Sequence, residues 1–171
     1  MHIRRLLLPL VMLPFLAAAA AAPAPRMSIA SLAQLPVVER VPYDTDADAN
    51  ADLAVAFARA RKSGKRVMID FGGNWCGDCV VLANLVLLPE MKRFMAAHFE
   101  FVKVDVGRFD KNTQILDRFG IVDHLKKEGV PAVVVAEPDG TFVNRNNIAA
   151  LEDASHMTPQ AIADWLAQWA K

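Results

Sequence analysis

Cysteine is nearly absent from this 171-residue chain: there are two, Cys76 and Cys79, both in the stretch "NWCGDC". A framework of several disulfides is excluded, and any intramolecular disulfide must join this pair. Charge of one sign is also lacking. Lys and Arg total 19, Asp and Glu total 19, and no basic block is interleaved with aromatics. Such a chain has no electrostatic footprint for nucleic acid. Histidine is sparse in the body of the chain, where His98, His124 and His156 are scattered without i, i+4 spacing. A structural zinc site wants four ligands, usually as two close pairs, and only one pair is available. No resident metal or other cofactor is expected, and there are no internal repeats.

Long apolar runs are missing except at the start. "MHIRRLLLPLVMLPFLAAAAAAPAPR" has two arginines, an apolar run from Leu6 to Leu16, then small residues. That order matches a secretory signal peptide, expected over residues 1–24 with cleavage between Ala19 and Ala24. No cysteine follows the apolar run, so a lipoprotein anchor is unavailable. Left uncleaved, the segment would be one N-terminal membrane anchor, near the ~17-residue lower limit for spanning. Removal of Arg4 and Arg5 leaves 17 basic against 19 acidic residues, a net charge of −2. The expected location is periplasmic or secreted, where disulfides persist.

Residues 25–50 are rich in Ala, Pro and Asp and read as a linker or N-terminal extension, with "VVERVPY" (37–43) a candidate edge strand. Residues 51–171 suffice for one domain with its own core. Helical spacing of Leu53, Phe57 and Ala60 predicts a leading helix ending at Gly64. "RVMIDF" (66–71) and "EFVKVDV" (100–106) are continuous apolar runs and predict strands covered on both faces. Between them a helix should run from Cys76 to about Leu88, broken by Pro89, with a shorter helix behind it. "DKNTQILDRFG" predicts a short helix, and "VDHLKKE" (122–128) a solvated loop. "PAVVVAEPDGTFV" predicts a hairpin, and "TPQAIADWLAQWA" an amphipathic helix capped by Thr158. The alternation argues for an α/β fold, a mixed sheet with helices on both faces.

Three chemistries fit a Cys-x-x-Cys pair. As a staple it closes a tiny loop and contributes the least a disulfide can. As a metal site it is short of ligands, although copper(I) can use two thiolates with thioethers, and Met68, Met91, Met95 and Met157 are present. As a redox centre it has the right setting. A strand feeds a turn, and the first cysteine opens a helix whose free amides and dipole favour its thiolate. Cys79 lies one turn further along the same face, placed to attack a mixed disulfide at Cys76.

"VMIDFGGNWCGDC", followed about fifty residues later by "GVPAVVV", resembles the thioredoxin superfamily, most closely its exported members and the C-terminal domain of membrane thiol:disulfide interchange proteins. The resemblance implies a thioredoxin fold and a thiol-disulfide oxidoreductase. Cys76 matches the nucleophile and Cys79 the resolving cysteine. Trp75 matches the aromatic beside the active site. Pro131 matches a cis-proline, a conformer of about 5% of X-Pro bonds in general, which would leave the Val130 backbone free to pair with substrate. Asp70 matches a buried carboxylate that takes the Cys79 proton through water; burial would raise its pKa. Lys103 matches that carboxylate's partner, or else is a snorkelling strand-edge lysine. The implied partners are client proteins with cysteines and an upstream electron donor, such as a membrane thiol:disulfide interchange protein. A monomer is expected.

The sequence departs from the family between the cysteines, where Gly77 is followed by Asp78 rather than proline. Gly72 stands where an aromatic is common. A carboxylate at 78 works against a thiolate at Cys76, yet a helix N-terminus favours that carboxylate too. Strong oxidants depend on a greatly stabilised thiolate, so Asp78 predicts a less oxidising couple working in the reducing direction. The alternative is a copper(I) carrier or a redox-inactive adaptor using the same groove.

Overall fold

Strand β1, Arg66–Gly72, is the axis of the domain. The computed structural model describes residues 22–171. Of the expected signal segment only residues 22–24 fall within them. Element order is α1 (Ala49–Ser63), β1, α2 (Gly77–Leu85), α3 (Pro89–His98), β2 (Phe99–Asp105), α4 (Thr113–Phe119), α5 (Val122–Glu128), β3 (Ala132–Ala136) and α6 (Pro159–Ala167). β1 is the central strand of a sheet ordered β2-β1-β3, parallel to β2 and antiparallel to β3. This is the expected mixed α/β architecture.

Side chains alternate across a strand, so β1 feeds two cores. Val67, Ile69 and Phe71 pack with α1 and α4 through Leu53, Ala60, Ile115 and Leu116. Met68 faces α2, α3 and α6 through Leu85, Met91, Phe94 and Ile162. Asp70 and Gly72 follow Met68 in the alternation. β2 differs from its expected burial. It is an edge strand, and residues 100–103 are only partly covered.

Local signals place the helix ends. Asp48 caps α1 by accepting from the Asn50 and Ala51 amides, and Gly64 closes it in the left-handed conformation at φ 76°. Pro89 opens α3 at a position where its missing N–H costs nothing. α3 has 10 residues against 9 in α2, so it is not the shorter of the two. Thr158 caps α6 through the Ala161 amide.

Four further expectations need correction. Residues 122–128 form a helix, because Leu125 is buried one turn from buried Ile121. The hairpin is truncated: beyond the 138–140 turn there is one bridge, Ala136 to Phe142, and no second strand. The rest of the β3 outer edge is satisfied by a loop. Asn144 accepts from the Val135 N–H (2.7 Å) and donates to the Val133 carbonyl (2.7 Å), and the Val133 N–H donates to Ile148 (2.9 Å). One buried amide thus takes a strand's place.

The last two corrections concern the segment before α1. Residues 37–43 are not a strand. The buried Asn84 of α2 accepts from the Val38 and Glu39 amides (2.7 and 2.9 Å) and donates to the Glu39 carbonyl (2.8 Å). Nor does the segment run free as a linker. Met27, Ile29, Leu32 and Leu35 pack on the second core, and Met27 N–H donates to Gln160 of α6 (3.0 Å). Among the described residues no helix is long and apolar enough to cross a membrane.

Candidate active site

The C-terminal end of β1 runs into the turn 73–76 and then α2. Cys76 is the N-cap of α2: its Sγ accepts the Cys79 N–H at 3.1 Å. The two sulfurs are bonded, closing the disulfide. Cys76 is 6% exposed and Cys79 is fully buried. An incoming thiol or disulfide therefore reaches Cys76 first. Val130 carbonyl oxygen lies 3.3 Å from Cys76 Sγ, and the Val130–Pro131 peptide is cis. Pro131, at the entry to β3, is buried beside it.

Trp75 is 42% exposed and anchored at one end. Its indole N–H donates to the Gly107 carbonyl at 2.6 Å, its ring meets Phe109 edge-on, and the Arg108 guanidinium lies 4.8 Å from its centre. The aromatic beside the disulfide is thus held rigid yet open to a partner. Gly77 opens the first turn of α2 and a side chain there would meet open space.

Asp78 turns one carboxylate oxygen to the loop before α6. Its Oδ1 accepts the Ser155 N–H at 2.8 Å, tying the loop before α6 to the first turn of α2. Lys103 is opposite Asp70 in the β1–β2 register, but its Nζ pairs with Glu39 at 2.9 Å. Asp70's hydrogen-bond partner is instead Tyr43, whose hydroxyl donates to Oδ2 at 2.8 Å. Burial pushes the Asp70 carboxyl up to about 7; the Tyr43 bond and, behind it, the Lys103 charge hold it from rising further.

Tyr43 is the residue that local sequence reasoning missed. It is 2% exposed, and its backbone is clamped by Asn74, which accepts its N–H (2.9 Å) and donates to its carbonyl (2.8 Å). It also accounts for Gly72. A Cβ at position 72 would stand 2.3 Å from the Tyr43 oxygen and 3.0 Å from Cys79 Sγ. The space beside Gly72 is filled by an aromatic delivered from position 43. The only signal for it was an isolated tyrosine closing an otherwise solvated segment.

Residues 48–138 match the thioredoxin-like family model. The chain belongs to the thioredoxin-like family. A disulphide isomerase from Xylella fastidiosa superposes with a TM-score of 0.68 at 35% identity, over 75% of this chain and 95% of that one. A thioredoxin H-type of Fagopyrum esculentum is 34% identical over 90 residues, 52% of this chain and 66% of its own. The thiol:disulfide interchange protein DsbD 1 of Pseudomonas aeruginosa is 27% identical over 90 residues, 53% of this chain but 14% of its own. The match therefore spans under two thirds of either curated relative. The Cys76–Cys79 disulfide lies within the residues that the family model matches.

Among the described residues no three His, Cys, Asp or Glu side chains are placed to hold an ion. Met68, Met91 and Met95 are core residues, away from the surface.

Proposed function

We propose that this thioredoxin-like chain reduces disulfides in client proteins. The observation that carries this reading is the sulfur of Cys76 at the N-cap of α2, near the surface, accepting an amide that would stabilise its thiolate. In the reduced chain the Cys76 thiolate attacks a client disulfide. A Cys76–client bond forms and the client's other sulfur leaves as a thiolate, to be protonated by solvent. Cys79 then gives its proton to ionised Asp70 and attacks Cys76 Sγ. The Cys76–Cys79 bond forms and the second client thiolate leaves. Two electrons have passed to the client, so a dithiol donor must reduce the pair again.

Asp70 suits that step because its pKa of about 7 lets it both take and release a proton near neutrality. The backbone at Val130, beside Cys76, and the open face of Trp75 are the surfaces offered to a client chain. The reducing direction rests on the Asp78 charge one residue beyond Gly77, which opposes a strongly stabilised thiolate. We assign the donor role to a membrane thiol:disulfide interchange protein and the location to an exported compartment, on the apolar N-terminal segment and the resemblance.

Insulin reduction coupled to a dithiol donor tests the activity. It should vanish in Cys76→Ser and Cys79→Ser, and Cys79→Ala should strand clients as mixed disulfides on Cys76. A wild-type chain without turnover would refute the reading. A reduction potential near about −120 mV, the strong-oxidant end, would overturn the direction alone.

A further inference from the structure

The proton acceptor behind the disulfide has a partner from outside the Cys-x-x-Cys unit. Asp70 Oδ2 is taken by the Tyr43 hydroxyl at 2.8 Å, whereas Oδ1 is buried with no hydrogen-bond partner. A fully buried carboxylate with one satisfied and one orphaned oxygen is costly, and such orphans point to a working site. The phenol oxygen and Cys79 Sγ both border the space that a Gly72 side chain would fill, at 2.3 and 3.0 Å from that Cβ position.

We propose that Tyr43, carried by the segment before α1, is a positioning residue for dithiol exchange: its hydroxyl holds one oxygen of Asp70 and leaves the other to take the Cys79 proton. This rests on the oxidoreductase reading above. The placement is specified rather than incidental packing. Asn74, two residues before Cys76, clamps the Tyr43 backbone in both directions. Asn84 binds the chain at Val38 and Glu39, and Lys103 binds the Glu39 side chain.

The groups around Asp70 set the sign of the effect. Tyr43 faces it from the segment before α1 and Lys103 from β2, the opposite residue on β3 is the uncharged Val133, and Cys79 of α2 borders the neighbouring Gly72. Glu39 is held on Lys103, and Asp105 acts on Tyr43. Burial, then the Asp70 charge, hold the Tyr43 phenol well above its ordinary value, so it stays a donor across the working range. Its bond favours the ionised form of Asp70. Deleting the hydroxyl should therefore make Asp70 ionise at higher pH and move the resolving step with it.

Stopped-flow reaction of the reduced chain with 5,5′-dithiobis(2-nitrobenzoate) separates the steps. The first thionitrobenzoate reports attack by Cys76, and the second reports release by Cys79. In Tyr43→Phe the pH profile of the second release should move up by about one unit, roughly a fivefold slowing at neutrality that approaches about tenfold below it, with the first release unchanged. Asn74→Ala, which unclamps the Tyr43 backbone, should move it the same way by less. In Asp70→Asn, adding Tyr43→Phe should change the second release no further. Titration of the Asp70 carboxyl by infrared absorption in the reduced chain reads the same shift without activity. An unshifted or downward-shifted profile and carboxyl titration in Tyr43→Phe would overturn the proposal. A wild-type chain that gives no second release would instead refute the oxidoreductase reading.

Discussion

Two irregular segments flank the disulfide, the strap at 37–45 and the loop at 144–156, and they are built alike. Each is held by a buried asparagine in place of a strand: Asn84 grips Val38 and Glu39, and Asn144 grips Val133 and Val135. Each also reaches the active site, the strap through Tyr43 on Asp70 and the loop through Ser155 on Asp78. The difference is where those contacts end. The strap ends on a buried carboxyl that titrates near neutrality; the loop ends on a half-buried one in the first turn of α2. A neutral amide can stand in for strand pairing on either side. Only the strap is wired to a proton.

The sharpest way to break that contrast is to remove the proton. The folded pKa of Asp70, about 7, exceeds its ordinary 3.8. Between those values the native state binds more protons than the unfolded one, so stability falls as pH rises through the window and is flat above it. Asp70→Asn should abolish this slope. At pH 8 the variant should be more stable than wild type by up to about 4 kcal/mol, with the gap closing below pH 4. Urea unfolding of the oxidised chain at both pH values measures it. Equal stabilities at pH 8 would mean that the carboxylate is not penalised.

On the loop side, Asn144→Ala strands a buried N–H and a buried carbonyl. At 1–3 kcal/mol for each unsatisfied group, a loss of about 3 kcal/mol is expected, the same at pH 5 and pH 8. A pH-dependent loss would erase the distinction between the two segments. Gly72→Ala strikes the strap directly by forcing a methyl into the Tyr43 oxygen, at a cost of about 2 kcal/mol. In a Tyr43→Ala background that cost should shrink, since the clashing ring is gone and only the 3.0 Å approach to Cys79 Sγ remains. Thermal denaturation of the four chains gives the coupling, and full additivity would sink the steric account.

The smallest effect belongs to Asp78→Asn. The amide keeps an acceptor for the Ser155 N–H, so stability should change by under about 0.5 kcal/mol. Loss of the charge should raise the reduction potential by on the order of 10–20 mV, read by equilibration with glutathione. An unchanged potential would leave Asp78 as a loop tether alone.

Most of the fold was legible because its signals are local. The apolar runs of β1 and β3, the cap Thr158, the break at Pro89 and the stop at Gly64 all act within a few residues. The truncated hairpin was not legible, because "TFV" has strand composition and its replacement is an amide three places later. The α5 helix was readable in principle from Ile121 and Leu125 at i, i+4, but the charged residues around Leu125 masked it. Lys103 illustrates the limit differently. Its register opposite Asp70 followed from the strands, yet its ammonium is taken by Glu39, 64 residues away in sequence.

By itself, then, the sequence determined that a strand would deliver a cysteine to the start of a helix, with a second cysteine one turn on and a carboxylate buried behind them. Periodicity, caps and Cys-x-x-Cys spacing are all read over a few residues, and so is the cost of an aspartate in an apolar strand. Tertiary structure alone decided what that carboxylate touches. Tyr43 meets Asp70 across 27 residues, Asp78 meets Ser155 across 77, and Asn84 meets the strap across about 45. Hydrogen bonds of that separation leave no periodic trace, because burial requires only that each polar group find some partner and leaves the choice to the packed chain.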